Sequence, residues 1–232
     1  MIVFPAIDIR NGKCVRLEQG EFDKESVFGE DPLMIAKKWY EKGAKYLHIV
    51  DLDGALQGEP VNLSIIEKIA KTIPIPIQVG GGIRKLEDVK KVLFCGVERI
   101  ILGTSAINQV DFVEQVLNLY SENVAVSLDA RNGLIAIEGW KKTTNQKALD
   151  YAVVLQNMGL KTLIYTDIAK DGMLSGPNFN ELQQIQQKIK MNLIASGGIS
   201  KQEDVKRLKT MDLYGAIIGK ALYTGDIQLE EL

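Results

Sequence analysis

Short runs of apolar residues alternate along the chain with longer stretches in which apolar positions recur every three or four residues, and the alternation runs from end to end. The short runs read as β-strands and the longer ones as amphipathic helices. Strands are predicted at Ile2–Ile7, Tyr46–Val50, Ile75–Val79, Arg99–Leu102, Val124–Leu128, Thr162–Thr166, Leu193–Ala195 and Gly215–Ile218. Helices are predicted at Pro32–Lys42, Asn62–Thr72, Lys85–Phe94, Val110–Leu119, around Lys147–Asn157, Phe179–Lys190, Gln202–Lys209 and, weakly, Ala221–Leu232. Asp31 is placed to cap the first helix, with Pro32 at its first position, where no N–H is needed. The strands are apolar on both faces, as parallel strands covered on two sides must be. Eight strand–helix units in 232 residues predict an α/β fold, a (β/α)8 TIM barrel forming one domain over 1–232. A doubly wound open sheet is the alternative arrangement.

The chain also repeats itself at half length. Residues 81–92 read GGIRKLEDVKKV and residues 197–208 read GGISKQEDVKRL, 116 positions later. At the same offset Gly43 falls on Gly159, Leu47 on Leu163, Asp51 on Asp167 and Gly103 on Gly219. A period this long is no solenoid. It predicts two four-unit half-barrels, approximately 1–120 and 121–232, and favours a closed barrel over an open sheet.

Composition narrows the function. The net charge is −2 and the pI about 5.6, so the broad basic footprint of a nucleic-acid binder is missing and an anionic ligand needs a local grip. The one histidine, His48, rules out His-rich metal sites, and as a residue inside a strand it reads as packing. The two cysteines, Cys14 and Cys95, form no paired motif, which fits a reduced, cytoplasmic protein. No apolar run approaches the roughly 20 residues of a membrane span, and the N-terminus reads as a strand instead of a signal peptide. Neither a metal, an organic cofactor nor an obligatory protein partner is called for.

The candidate chemistry lies at predicted strand ends. Gly80-Gly81-Gly82-Ile83 and Ser196-Gly197-Gly198-Ile199 each follow a strand and precede a helix, and one unit later come Gly103-Thr104-Ser105 and Gly219-Lys220-Ala221. Backbone N–H groups without side chains can approach a phosphate closely, and the helix dipole behind favours negative charge. A single such cluster is most simply a tight turn. Two pairs in register predict two phosphate grips facing each other across a barrel mouth, hence a small ligand phosphorylated at both ends. Asp8 and Asp129 end the first and fifth strands, between the grips, where paired carboxylates can divide base and acid roles. Thr166 is placed to orient a carboxylate by hydrogen bonding. Asp171 lies in the Gly- and Ser-rich loop after the sixth strand, a segment suited to a lid. Asp51 and Asp167 read equally as structural or functional, and Arg84 equally as a phosphate ligand or a solvated charge. Lys13, Arg16 and the stretch to Glu30 are placed to close over a substrate, while Trp140 reads as stacking on a flat ring or as simple packing.

The segments PAIDIRNGKCVRLEQG, HIVDLDGA, QVGGGIR, GTSA, SLDAR, TDIAKDGMLSGPN, SGGI and IIGKAL together resemble the ProFAR isomerases of histidine biosynthesis, over essentially the whole chain. The resemblance implies a two-half (β/α)8 barrel, a substrate with a phosphate at each end, and an Amadori rearrangement of an aminoaldose to an aminoketose without metal or cofactor. It implies Asp8 as base, Asp129 as acid, Thr166 as supporting residue and Asp171 as an alternative acid on a moving loop, with Gly81, Gly82, Gly103, Thr104, Gly197, Gly198, Gly219 and Lys220 on the phosphate loops. The sister cyclase subunit of imidazole glycerol phosphate synthase shares the plan and both aspartates. Its first strand typically reads CLDV where this chain has AIDI, and it typically lacks the DLDGA of residues 51–55. A bifunctional relative also isomerises phosphoribosylanthranilate. From other classes, a flavin oxidoreductase and a non-catalytic phosphate-binding module share the loop geometry.

Overall fold

The computed structural model describes all residues, 1–232. The strands are β1 (Ile2–Arg10), β2 (Lys13–Glu18), β3 (Glu21–Gly29), β4 (Leu47–Asp51), β5 (Ile77–Gly80), β6 (Arg99–Leu102), β7 (Val124–Arg131), β8 (Leu134–Ile137), β9 (Lys142–Lys147), β10 (Thr162–Asp167), β11 (Asn192–Ser196) and β12 (Gly215–Ile218). Eight of them, β1, β4, β5, β6, β7, β10, β11 and β12, pair in parallel in that order, and β12 pairs with β1 to close the barrel. Helices α1 (Pro32–Glu41), α2 (Leu52–Gln57), α3 (Leu63–Thr72), α4 (Leu86–Phe94), α5 (Thr104–Asn108), α6 (Val110–Tyr120), α7 (Ala148–Asn157), α8 (Phe179–Lys188), α9 (Gln202–Thr210) and α10 (Lys220–Thr224) fill the connections. The fold is the predicted (β/α)8 barrel. No helix is long and apolar enough to cross a membrane.

Most barrel strands supply two apolar layers; β5 instead turns the buried Gln78 inward. Residues facing out join a cluster of 54 buried side chains beneath the helices. Phe4, Ala6, Tyr46, Ile101, Ala125, Ile164, Ile194 and Ile217 form a second cluster that fills the barrel's interior, with the Phe4 and Tyr46 rings 4.8 Å apart. This is why the barrel strands show no polar alternation: both faces are core.

The chain departs from a plain strand–helix rhythm at two places. After β1 and after β7 it turns back through Asn11-Gly12 and Asn132-Gly133, with φ of 50° and 75° at the first pair and 52° and 75° at the second. Positive φ at both central residues is the type I′ hairpin turn, which Asn-Gly adopts readily. The resulting antiparallel ribbons, β2–β3 and β8–β9, extend from the strands that carry Asp8 and Asp129, each of which runs two residues past its aspartate, to Arg10 and Arg131. At the C-terminus the expected long helix is only α10, stopped by Gly225 in the left-handed conformation, followed by a 3-10 turn at Leu229–Glu231.

The internal repeat has a structural counterpart behind each glycine loop. The Asp88 carboxylate accepts from the N–H groups of Arg84 and Lys85 at 3.1 and 3.2 Å. Asp204 accepts from those of Ser200 and Lys201 at 3.0 and 3.2 Å. Both carboxylates are buried and pin the starts of α4 and α9, which fixes the loops ahead of them.

Candidate active site

At the C-terminal mouth of the barrel a cavity of about 700 Å³ is lined by Asp8, Asp129, Thr166, Asp171, Gly81, Gly82, Arg84, Gly103 and Thr104. A smaller adjoining pocket of about 30 Å³ is lined by Gly197, Gly198, Gly219 and Lys220, and both spaces share Arg16, Asp171, Ser196 and Ile217. The predicted site residues therefore meet in one place, in one open and one covered compartment.

The glycine loops of the two halves are built alike. Asp51 is fully buried, and its carboxylate accepts from the N–H groups of Gly54, Val61 and Asn62 and from the Asn62 amide at 2.7 to 2.9 Å. Asp167 accepts from Ala169 N–H at 3.0 Å and the Asn178 amide at 2.8 Å. These two aspartates are structural: they fold the loops after β4 and β10. The backbone of each then presses on the neighbouring glycine loop. A Cβ on Gly81 (φ 111°) would collide with the Asp51 carbonyl, and one on Gly197 (φ 89°) would stand 2.6 Å from the Asp167 carbonyl oxygen. Glycine is required there by both space and conformation. Within the open compartment the Ser105 hydroxyl donates to the Ile83 carbonyl at 2.9 Å, tying the loop after β6 to the loop after β5.

The covered compartment is closed by side chains from the first half. The Arg16 guanidinium lies where a Cβ on Gly219 would be, and its Nη1 meets the Asp8 carboxylate at 2.9 Å. Its Nε is buried and has no hydrogen-bond partner, a donor turned toward the site. Lys220 Nζ donates to Glu18 at 2.7 Å and to the Gly172 carbonyl at 3.2 Å. The loop carrying Asp171 is tied down by Gln19 N–H to the Asp171 carbonyl at 3.3 Å and by the Gln19 amide to the Ala169 carbonyl at 3.0 Å.

The electrostatics follow from three carboxylates around one guanidinium. Burial raises the Asp8 carboxyl above the usual range, and the Arg16 charge opposes the rise. The Asp171 carboxyl is pushed up to about 6, chiefly by burial and further by the negative charges of Asp8 and Asp129, against the pull of Arg16. Burial outweighs attraction at both because water is the better solvent for a carboxylate. Asp129 is held by neutral donors, the Ser127 hydroxyl at 2.8 Å and Trp140 Nε1–H at 2.7 Å.

That arrangement corrects one expectation. Thr166 is the register partner of Asp129 across β7 and β10 and lines the cavity, but it makes no hydrogen bond to a carboxylate; Ser127 and Trp140 take that place. Trp140 packs as well as donating: its ring lies against Gly20 at the tip of the β2–β3 ribbon, so the two ribbons meet over the mouth. Arg84 is exposed at the rim, lying over Gly58 and donating to the Ala55 carbonyl at 3.4 Å. Lys13 pairs with Glu30 at 2.7 Å on the surface. The repeated segments Asp8-Ile9-Arg10-Asn11-Gly12 and Asp129-Ala130-Arg131-Asn132-Gly133 carried the signal for both ribbons, and so for the placement of Arg16 and Trp140.

Comparison with known proteins bears on the same residues. A family model described as "Histidine biosynthesis protein" matches residues 2–228. The chain belongs to this family. It is 55% identical over 232 residues to 1-(5-phosphoribosyl)-5-((5-phosphoribosylamino)methylideneamino) imidazole-4-carboxamide isomerase of Oceanobacillus iheyensis, covering 100% of this chain and 97% of that one. It is 53% identical over 231 residues to the isomerase of the same name from Clostridioides difficile, covering 100% and 96%. A third, from Bacillus mycoides, is 49% identical over 232 residues, covering 100% and 97%. This histidine-biosynthesis family member therefore spans nearly the full length of the isomerases it resembles, and every loop described above lies within the matched residues.

Proposed function

We propose that the protein converts ProFAR, the bisphosphorylated aminoaldose named in its relatives, to the corresponding aminoketose by acid–base catalysis from its own aspartates. The observation that carries this reading is a set of carboxylates standing between two matched glycine-lined cradles in adjoining compartments. The cradles hold the two phosphates, so that positioning supplies much of the rate, and the orphan Nε of Arg16 supports an anion in the second.

A general acid protonates the furanose ring oxygen, the C1–O bond breaks, and a protonated Schiff base forms. Asp8 then takes the proton from C2; the C–H electron pair forms the C1–C2 double bond and neutralises the iminium nitrogen as an enolamine. Tautomerisation, with a proton returned to C1, yields the ketose. A base gains strength from burial provided that it remains ionised, and the Arg16 contact at 2.9 Å supports the ionised form of Asp8. The acid must carry a proton near neutral pH, which favours Asp171, held at about 6, over Asp129, whose two oxygens are engaged by Ser127 and Trp140. In this reading the protein is cytoplasmic, supported by its two free, buried cysteines.

The test is to mix purified protein with ProFAR, without added metal, and follow conversion optically beside an Asp8→Asn control. The expected result is conversion by the wild type and its near-abolition, with ligand affinity kept, in the control. Wild-type-like turnover by Asp8→Asn overturns the base assignment. No conversion by the wild type overturns the reaction and moves the cyclase, with an ammonia-supplying partner, to the front.

A further inference from the structure

Beneath the carboxylates, three neighbouring strands place His48, Gln78 and Arg99 side by side, with His48 paired to Gln78 and Gln78 to Arg99 in register. Arg99 is 6% exposed and forms no ion pair. Its Nε and Nη2 both donate to Gln78 Oε1, at 3.1 and 2.8 Å, and its Nη1 to the Thr162 hydroxyl at 3.4 Å. Its guanidinium lies over the Tyr46 and Tyr214 rings, 5.2 and 6.0 Å from their centroids.

Hydrogen-bond accounting then fixes a tautomer. Arginine has only donors, so the oxygen of Gln78 must face it. The Gln78 amide nitrogen therefore faces His48, and it meets Nδ1 at 2.9 Å. An amide nitrogen is only a donor, so Nδ1 must accept and carries no proton. The neutral ring keeps its single proton on Nε2. Burial and the positive charges of Arg16 and Arg99, the charged groups that face the ring, lower its pKa to about 3, so it stays neutral at working pH. Nε2 has no protein partner, and His48 lines the large cavity. The ring has no free lone pair with which to act as base or metal ligand. What it presents to the cavity is one neutral N–H.

We propose that Arg99 and Gln78 are positioning residues that lock His48 as the Nε2–H tautomer, making it a hydrogen-bond donor from the cavity floor to a sugar hydroxyl oxygen of the substrate. The choice of acceptor rests on the isomerase reading above and on position. His48 pairs with Ala6 and Val50 with Asp8, so His48 lies two residues below the base, roughly 7 Å along the strands. The phosphate cradles lie on loops beyond the strand ends. A donor at this depth, on the strand beside the base, faces the ribose whose C2–H that base breaks, and so the neutral hydroxyl oxygens of that sugar.

His48 is the only histidine, so its ring nitrogens are assigned without ambiguity in a long-range 1H–15N correlation spectrum of labelled full-length protein. We expect an unprotonated Nδ1 and a protonated Nε2 that do not titrate between pH 5 and 8. In Gln78→Glu, near-isosteric but with an acceptor facing the ring, we expect Nδ1 to gain a proton. A protonated Nδ1 in the wild type, a titration in that range, or an unprotonated Nδ1 in Gln78→Glu overturns the relay. For the donor itself, His48→Phe should lower kcat/KM for ProFAR about tenfold, the value of one hydrogen bond at the upper end of the usual range. His48→Gln, which keeps an N–H, should recover much of it. Equal kcat/KM in the wild type and His48→Phe overturns the donor role. The spectrum decides the tautomer whether or not ProFAR is turned over, so failure of the relay and failure of the isomerase reading are separately visible.

Discussion

If Asp171 is kept in a poor environment for its charge, replacing it should strengthen the fold while weakening catalysis. Its carboxyl stands at about 6 in the folded protein against about 3.9 in an unfolded chain. A difference of about two units at 1.36 kcal/mol each is a ceiling of about 3 kcal/mol. The sign is set by which state binds the proton more tightly. Here the folded state does, so the penalty is absent below about pH 4, grows as pH rises through the folded value, and is complete above about pH 7. Asp171 is half-buried at a cavity open to water, so screening reduces the ceiling to about 1–2 kcal/mol. Asp171→Asn keeps the shape and removes the charge. At pH 7.5 its urea midpoint should rise by the equivalent of that amount with an unchanged slope, and its Tm by about 2–8 °C for a chain of this size. At pH 4 the two proteins should unfold together. Turnover of ProFAR should fall steeply, because the amide cannot give up a proton to the ring oxygen. A variant that is no more stable than wild type at pH 7.5, or equally stabilised at pH 4, would refute the electrostatic reasoning whatever its activity.

Two further substitutions separate holding the fold from holding the ligand. Gly81→Ala should destabilise by at least about 2 kcal/mol, since its φ of 111° and the collision with the Asp51 carbonyl both resist a side chain; thermal unfolding by circular dichroism measures it, and an unchanged Tm would show that the loop has another way to relax. Lys220→Met removes a cation whose side chain is 28% exposed, so stability should change by less than about 1 kcal/mol, while the Kd for a bisphosphate analogue, read by calorimetry, should weaken about tenfold or more with the loss of a charge-assisted contact. Unaltered affinity would remove Lys220 from the second cradle.

Much of this molecule is legible in the chain because its regularities are local. Buried parallel strands must be apolar on both faces, and Arg99–Leu102 and Gly215–Ile218 begin and end where the pattern places them. The glycine loops are legible for a related reason: a backbone that must pass close to the Asp51 and Asp167 carbonyls leaves no choice of residue. The ribbons are announced by Asn11-Gly12 and Asn132-Gly133, but two-residue turns are easily lost inside a strand–helix rhythm that sets strong expectations. What the sequence hides is contact between distant segments. Nothing local says that Trp140 reaches Asp129, 11 residues away, while its ring rests on Gly20, or that Thr166 would be passed over in favour of Ser127. His48 reads as packing because its partner Gln78, and Arg99 behind Gln78, stand 30 and 51 positions away and line up with it only when the barrel curls.

The two halves share a plan yet end up unequal, and the inequality has a physical origin in the first ribbon. Its strand β2 carries both Arg16 and Glu18, and these fall on the second half's cradle: Arg16 over Gly219, Glu18 on Lys220. No side chain of β8 or β9 ion-pairs with the first half's cradle in return, where Thr104 instead accepts the Glu138 N–H at 3.1 Å. In the proposed reaction a phosphate arriving at the second cradle would therefore meet cations already occupied by carboxylates, and would exchange one anion for another at Lys220 instead of finding bare charge. In such an exchange neither the paired nor the liganded arrangement leaves the Lys220 charge without a partner. The first ribbon also links the second cradle to the centre of the site. Arg16 serves both without moving: its Nη1 keeps Asp8 ionised, 2.9 Å away, while its Nε, which has no partner and lies by Gly219, is left for an anion in the second cradle.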